Sequence, residues 1–215
     1  MNLSPRKKRI LWYVLGCMFL GFALLTFLVS VFPTSIVDIE FSEEVQEHRH
    51  PIFDWWMKLI SIPGQRPYSI IMACLTSAIF FIYKFKKEAI FILFTLISGV
   101  ISSTLKLLID RPRPSEGLVR IIEKAERQSF PSGHVLFYVI FFGFLTVLMY
   151  HLRNIPRNLR RGISIFSLFL IFSVPLSRVY LGAHWFTDVA AAFMLGIVCL
   201  FFISYFYFKY NDRKN

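Results

Sequence analysis

Three short stretches of this 215-residue chain hold residue types that can do chemistry. "KLLIDRPRP" carries Lys106 and Arg113. "SFPSGH" carries Ser132, Gly133 and His134. "SRVYLGAHWFTD" carries Arg178, His184 and Asp188. His184 and Asp188 are spaced i, i+4, so a helix beginning near Ala183 sets them on one face, within reach of each other. A carboxylate on one ring nitrogen fixes the tautomer and leaves the other nitrogen free to attack. The same pair can equally be a structural cap on the helix. "PSGH" at a helix start has a different logic. Helix N-termini present unpaired N–H groups and the positive end of the dipole, which together bind anions. Gly133 admits an anion close to the backbone, Ser132 adds a hydroxyl, and His134 follows in the first turn. A plain serine N-cap is the simpler account of those four residues taken alone.

Lys106, Arg113 and Arg178 form the third piece. Lys106 and Arg113 each read alone as a long side chain snorkelling to an interface. Three cations at one depth with few acids are harder to explain as ion pairs, and a multiply charged oxyanion would neutralise them. Arginine suits bidentate phosphate recognition and lysine acts as a point charge. Transfer of a phosphoryl group needs fixed donors, a nucleophile, and an acid for the leaving oxygen. All three are present, whereas a magnesium site needs more carboxylates than Asp188 and the nearby Asp110 supply. The expectation is therefore no metal and no cofactor.

These residues must be positioned by elements of a particular kind. Hydrophobic residues make up 56% of the chain and phenylalanine alone contributes 25 residues, arranged in blocks rather than on one face. Six blocks are almost free of charge: Ile10–Val37, Pro67–Tyr83, Ala89–Leu105, Phe130–Leu152, Gly162–Ser177 and Val189–Phe208. About 20 apolar residues cross a bilayer as helix. Four blocks meet this; the second and fifth are short. The expected fold is all-α: one membrane-embedded domain over residues 1–215, a bundle of six transmembrane helices. The first block is read as a retained helix, since it is too long for a signal core and no small-residue cleavage site follows.

The net charge of +11 is set by topology rather than by nucleic acid. "RKKR" precedes span one, "KFKK" joins spans two and three, "RNIPRNLRR" joins four and five, and "KYNDRK" follows six. These segments hold 14 of the 24 lysines and arginines. The positive-inside rule places them, and both termini, in the cytoplasm. Thr34–Arg66, Asp110–Ser129 and the third stretch then lie outside. Within Thr34–Arg66, "IFDWWMKLI" reads as an interfacial helix with Trp55 and Trp56 at headgroup level. Cys17, Cys74 and Cys199 lie within spans and read as small hydrophobes.

The three stretches together resemble the signature of the type 2 phosphatidic acid phosphatase superfamily, the integral-membrane lipid phosphate phosphatases. The first motif is Lys, six residues, Arg-Pro, supplied by Lys106, Arg113 and Pro114. The second is Pro-Ser-Gly-His, Pro131 to His134. The third is Ser-Arg, five residues, His, three residues, Asp, supplied by Ser177, Arg178, His184 and Asp188. All fixed positions are present in order. The resemblance implies that His184 attacks phosphorus and carries a phosphohistidine, oriented by Asp188. His134 protonates the leaving oxygen and then activates water. Lys106, Arg113, Arg178, Ser132 and the Gly133 N–H hold the phosphate oxygens. It further implies a phosphorylated membrane lipid as partner: undecaprenyl diphosphate, phosphatidylglycerol phosphate or phosphatidic acid. The site would lie at the exterior face of a bacterial cytoplasmic membrane. A phosphotransferase of the same superfamily and a non-catalytic binder or transporter of lipid phosphates are the competing readings. Retention of both histidines and Asp188 speaks against the last.

Overall fold

The computed structural model describes residues 4–48 and 50–212, and no strand occurs among them. The order is α1 (Pro5–Val31), α2 (Ile36–Val45), α3 (Pro51–Ser61), a 3-10 turn at Ile62–Gly64, then α4 (Arg66–Ile82) and α5 (Lys86–Phe94). It continues with α6 (Ile97–Ile109), α7 (Gly133–His151), α8 (Arg157–Tyr180) and α9 (Phe186–Asp212). Five stretches are long and apolar enough to cross a bilayer: α1, Lys86–Ile109, α7, α8 and Phe186–Tyr210. The sixth is α3 with α4, two helices joined by a 58° bend. The 17 residues of α4 rise only about 25 Å at 1.5 Å each, short of a hydrocarbon core of about 30 Å. The chain is a multi-pass membrane protein.

The predicted spans are present with shifted ends. Span one stops at Val31, because Pro33 and the serine cap at Ser35 begin a new helix; Ile36 and Val37 belong to that helix. The segment between spans one and two carries two helices rather than one. Ser35 starts α2, accepting from the Asp38 N–H at 3.2 Å, and His50 with Pro51 starts α3. Trp55 and Trp56 are exposed on α3. Span three is two helices: the Thr95 hydroxyl donates to the Ile92 carbonyl at 2.5 Å and interrupts the ladder where α5 meets α6.

Helix α7 is apolar on all sides and its residues from Val135 to Phe144 are buried throughout, as expected of a central helix. Helices α5, α6, α8 and α9 pack against it, α1 packs on α9 and α4 on α5, and large apolar side chains such as Leu107, Leu108 and Phe172 turn outward. Cys17 and Cys74 are also on that outer surface, not in the core. The basic segments gather at one end, where Lys87 lies 3.6 Å from the Tyr207 ring centre and Tyr207 donates to Glu88 at 2.7 Å. Arg213 and Lys214 of "KYNDRK" lie outside the described residues.

Candidate active site

At the other end, the residues singled out in the sequence arrive from the ends of four helices and from one loop. Lys106 is in the last turn of α6, Ser132 is the N-cap of α7, and Gly133 and His134 open its first turn. Arg178 is in the last turn of α8, His184 precedes α9, and Asp188 is in the first turn of α9. Arg113 comes from the loop after α6. Its Nη1 donates to the Ala183 carbonyl and stands 3.4 Å from His184 Nε2. Lys106 Nζ donates to the Gln128 and Ser129 carbonyls at 2.5 and 3.0 Å. The His134 ring has the cations Arg178, Arg113 and Lys106 and the His184 ring around it. All eight predicted residues are brought together.

The His184–Asp188 pair is built differently from the expectation. Helix α9 starts at Phe186, not near Ala183, so the two residues do not share a helix face. The chain turns back instead: Gly182 takes φ +67°, and the N–H groups of Ala183 and His184 both reach the Arg178 carbonyl, at 3.1 and 3.3 Å. A Cβ on Gly182 would also lie 2.2 Å from the Arg120 carbonyl, so this corner needs glycine twice over. His184 Nδ1 then stands 3.5 Å from Asp188 Oδ2, beyond hydrogen-bond length. Ser129 fills the gap. Its hydroxyl donates to Asp188 Oδ2 and lies 3.4 Å from Nδ1. Asp188 also accepts the Trp185 N–H at 2.9 Å. It therefore caps α9 while standing beside the histidine ring.

The electrostatics favour an anion. Burial first, then Arg113, Lys106 and Arg178, hold the His184 imidazole well below its usual range, so the ring is neutral. With acceptors at Nδ1, the Nε2 lone pair faces Arg113. Burial and then Arg178 push the Arg113 guanidinium down to about 10, which leaves it charged but strained by its neighbours. Among the described residues, six side-chain polar atoms are buried with no partner, and three of them belong to the site: Ser132 Oγ, His134 Nε2 and Arg178 Nε. Ser132 is thus not the plain cap it resembles; its hydroxyl makes no capping bond. Buried polar atoms without partners are costly, and these three belong to residues converging on one site. Among the described residues, no three His, Cys, Asp or Glu side chains form a metal-holding group.

Further residues complete the site. Arg111, 1% exposed, bridges Asp188 at 2.5 Å and Asp38 of α2 at 2.6 Å. Glu123, in the loop before α7, accepts from Arg178 with both oxygens at 3.1 Å. Gly64 packs so closely on His134 that an added Cβ would lie 2.3 Å from the ring. Of these, only the repeated Arg-Pro of "RPRP" gave any signal in the sequence.

Residues 87–212 match the PAP2 superfamily. The chain belongs to that superfamily. The matched region contains every one of the eight predicted site residues. Among solved structures, the chain is similar to the transmembrane PAP2 type phosphatidylglycerolphosphate phosphatase from Bacillus subtilis. The two are 25% identical, with a TM-score of 0.79 over 92% of this chain and 97% of that one. It also shares its fold with Aquifex aeolicus LpxE, at 21% identity and a TM-score of 0.60 over 79% of this chain and 95% of the other. No curated protein matches the chain.

Proposed function

We propose that this PAP2 enzyme hydrolyses a lipid phosphate or diphosphate without a metal, through a phosphohistidine on His184. The observation that carries the reading is the convergence of Lys106, Arg113 and Arg178 on two histidines beside the three unpartnered atoms of Ser132, His134 and Arg178. A phosphoryl group supplies the acceptors those donors need. In the first step the Nε2 lone pair of His184 forms a bond to phosphorus, and the bond from phosphorus to the lipid oxygen breaks. His134 gives that oxygen its proton. In the second step His134 takes a proton from water, the water oxygen bonds to phosphorus, and the P–N electron pair returns to Nε2. Charge develops on the equatorial oxygens in both steps, where fixed donors act most strongly. Asp188, held by Arg111 and Ser129, keeps the His184 proton on Nδ1.

The whole chain serves as one catalytic domain. The cluster of basic segments at the opposite end supports a site on the exterior face of the cell membrane, with both termini inside. The resemblance to the Bacillus subtilis phosphatase makes phosphatidylglycerol phosphate the first substrate to test, with undecaprenyl diphosphate and phosphatidic acid beside it. The deciding experiment is phosphate release from these three lipids by the purified protein in detergent, with and without chelator. Release that survives chelation and is blocked by orthovanadate is the expected result. Loss on chelation with recovery in magnesium, or release from none of the three, refutes the reading.

A further inference from the structure

At the end of the bundle away from the site, a groove of about 660 Å³ lies between the C-terminal turns of α7 and the start of α8. Four arginines line it: Arg153, Arg157, Arg160 and Arg161. No acidic residue lines it, and among the described residues none of the four forms an ion pair with a carboxylate. Among the described residues, the Arg157 and Arg161 side chains have no hydrogen-bond partner. Arg160 reaches the Met149 carbonyl at 3.3 Å through Nη1, but its Nε is buried with no partner.

The local field makes this crowding costly. Three of the arginines sit in the first turns of α8, where the helix dipole is already positive. That helix has Pro156 as its N-cap, no side-chain cap and no acid in its first turn. Its opening N–H groups therefore lack side-chain acceptors. Sorting charge across a membrane requires basic residues in this loop, but does not require four of them to face one groove at a helix N-terminus. One wall of the groove is apolar and continues onto the lipid-facing surface, with Tyr150 77% and Ile165 69% exposed. Arg153 lies 5.7 Å from the Tyr150 ring centre.

We infer that this groove binds the phosphate headgroup of an anionic membrane lipid, in the leaflet opposite the one that presents substrate. Arg157, Arg160, Arg161 and the α8 N-terminus meet the phosphate, and the acyl chains run along Tyr150 and Ile165. A free phosphate ion would satisfy the arginines but gain nothing from the apolar wall. The bound lipid draws the ends of α7 and α8 together and stabilises the bundle by mass action.

Native mass spectrometry of delipidated protein tests this, with orthovanadate present to occupy the catalytic site. The ligands are phosphatidylglycerol, phosphatidylcholine and inorganic phosphate. The wild-type chain is expected to retain phosphatidylglycerol at least tenfold better than phosphatidylcholine. The double variant Arg157→Gln, Arg161→Gln should lose that preference, and the single Arg161→Gln should weaken it. Both should elute as single species and keep wild-type turnover, since neither residue touches the site. Equal retention of the two lipids, a preference unchanged in both variants, or saturation by inorganic phosphate with no lipid preference overturns the inference.

Discussion

Arg111 donates to the Asp188 carboxylate at 2.5 Å while its Nη2 donates to Asp38 at 2.6 Å, so the residue facing His184 is anchored to a helix 150 positions earlier. All three side chains are fully buried. Two carboxylates on one guanidinium leave Asp188 little freedom to rotate. Arg111 also reaches the Pro33 carbonyl and the Thr187 hydroxyl, at 2.8 and 2.7 Å. It ties α2, α9 and the loop after α6 into one unit behind the dyad.

Lysine in place of Arg111 keeps the charge but cannot hold both carboxylates. Arg111→Lys should lower kcat roughly 10–100-fold, the usual cost of losing a partner that orients a reactive group. KM should change little, because Arg111 faces away from the phosphate donors. Removing the charge altogether should destabilise the fold by about 3–5 kcal/mol, as for other buried pairs left half-made. Steady-state kinetics of Arg111→Lys beside thermal melts of Arg111→Gln check both halves. A rise in KM with unchanged kcat would place Arg111 among the phosphate ligands instead.

Glu123 offers Arg178 an internal carboxylate where the substrate offers a phosphate. Phosphate bound at Arg178 competes with it, and a charge-assisted hydrogen bond is worth about 1.5–3 kcal/mol. Glu123 is 22% exposed, so solvent screening reduces that figure. Glu123→Gln should tighten orthovanadate inhibition by about tenfold, equal to ~1.4 kcal/mol. Weaker inhibition in that variant would show that Glu123 positions Arg178 rather than competes for it.

Gly64 bears on His134, the proposed proton donor. A methyl group there would lie 2.3 Å from His134 Cδ2 and 3.0 Å from Tyr138 Cε2, and Tyr138 is tied to the Ile60 carbonyl at 2.5 Å. The ring must therefore move. Gly64→Ala should behave as a partial His134→Ala, whose general acid–base contribution is typically 10²–10⁴-fold. The loss should be larger for a lipid monophosphate than for a diphosphate, because a phosphate leaving group needs less protonation than an alkoxide. Parallel kcat measurements on phosphatidic acid and undecaprenyl diphosphate give the comparison. Equal losses on both lipids would mean that the 3-10 turn acts through fold stability alone.

The contrast between these residues and the predicted ones shows what a sequence exposes. Lys106, Arg113, Ser132, His134, Arg178, His184 and Asp188 are legible because charge between apolar blocks is expensive and their spacings are fixed. The six blocks likewise announce the bundle. Asp38, Glu123 and Gly64 carry no such mark: an acid among acids, a loop carboxylate and a glycine in a turn. Their roles come from contacts spanning 55 to 73 positions, which only the packed helices create. The start of α9 at Phe186 departs from the sequence expectation for a related reason. The His184–Asp188 spacing suits a helix, but the chain reaches the same proximity by a turn at Gly182 and uses the Asp188 side chain as the cap.

His184 should remain neutral in acid. Its pKa is depressed by burial, then by Arg113, Lys106 and Arg178. A depressed group keeps its unprotonated form through the usual histidine value of about 6.5 and loses it only as pH falls through the lower folded value. The lone pair proposed to attack is therefore available at a pH where an ordinary histidine is half charged. A ¹⁵N-histidine titration of the detergent-solubilised protein, assigned with His184→Gln, should show the His184 ring still neutral there. A midpoint at or above 6.5 would mean that the site is wetter than its burial indicates.

The central claim is that His184 carries the phosphoryl group. Reaction with ³²P-labelled lipid phosphate, quenched in alkaline detergent where phosphohistidine persists, followed by digestion, locates the label. The account predicts acid-labile label on the peptide containing His184. It predicts none in His184→Ala, which should still bind lipid phosphate through Lys106, Arg113 and Arg178 but not turn it over. Label on the His134 peptide, or turnover by His184→Ala, would contradict it.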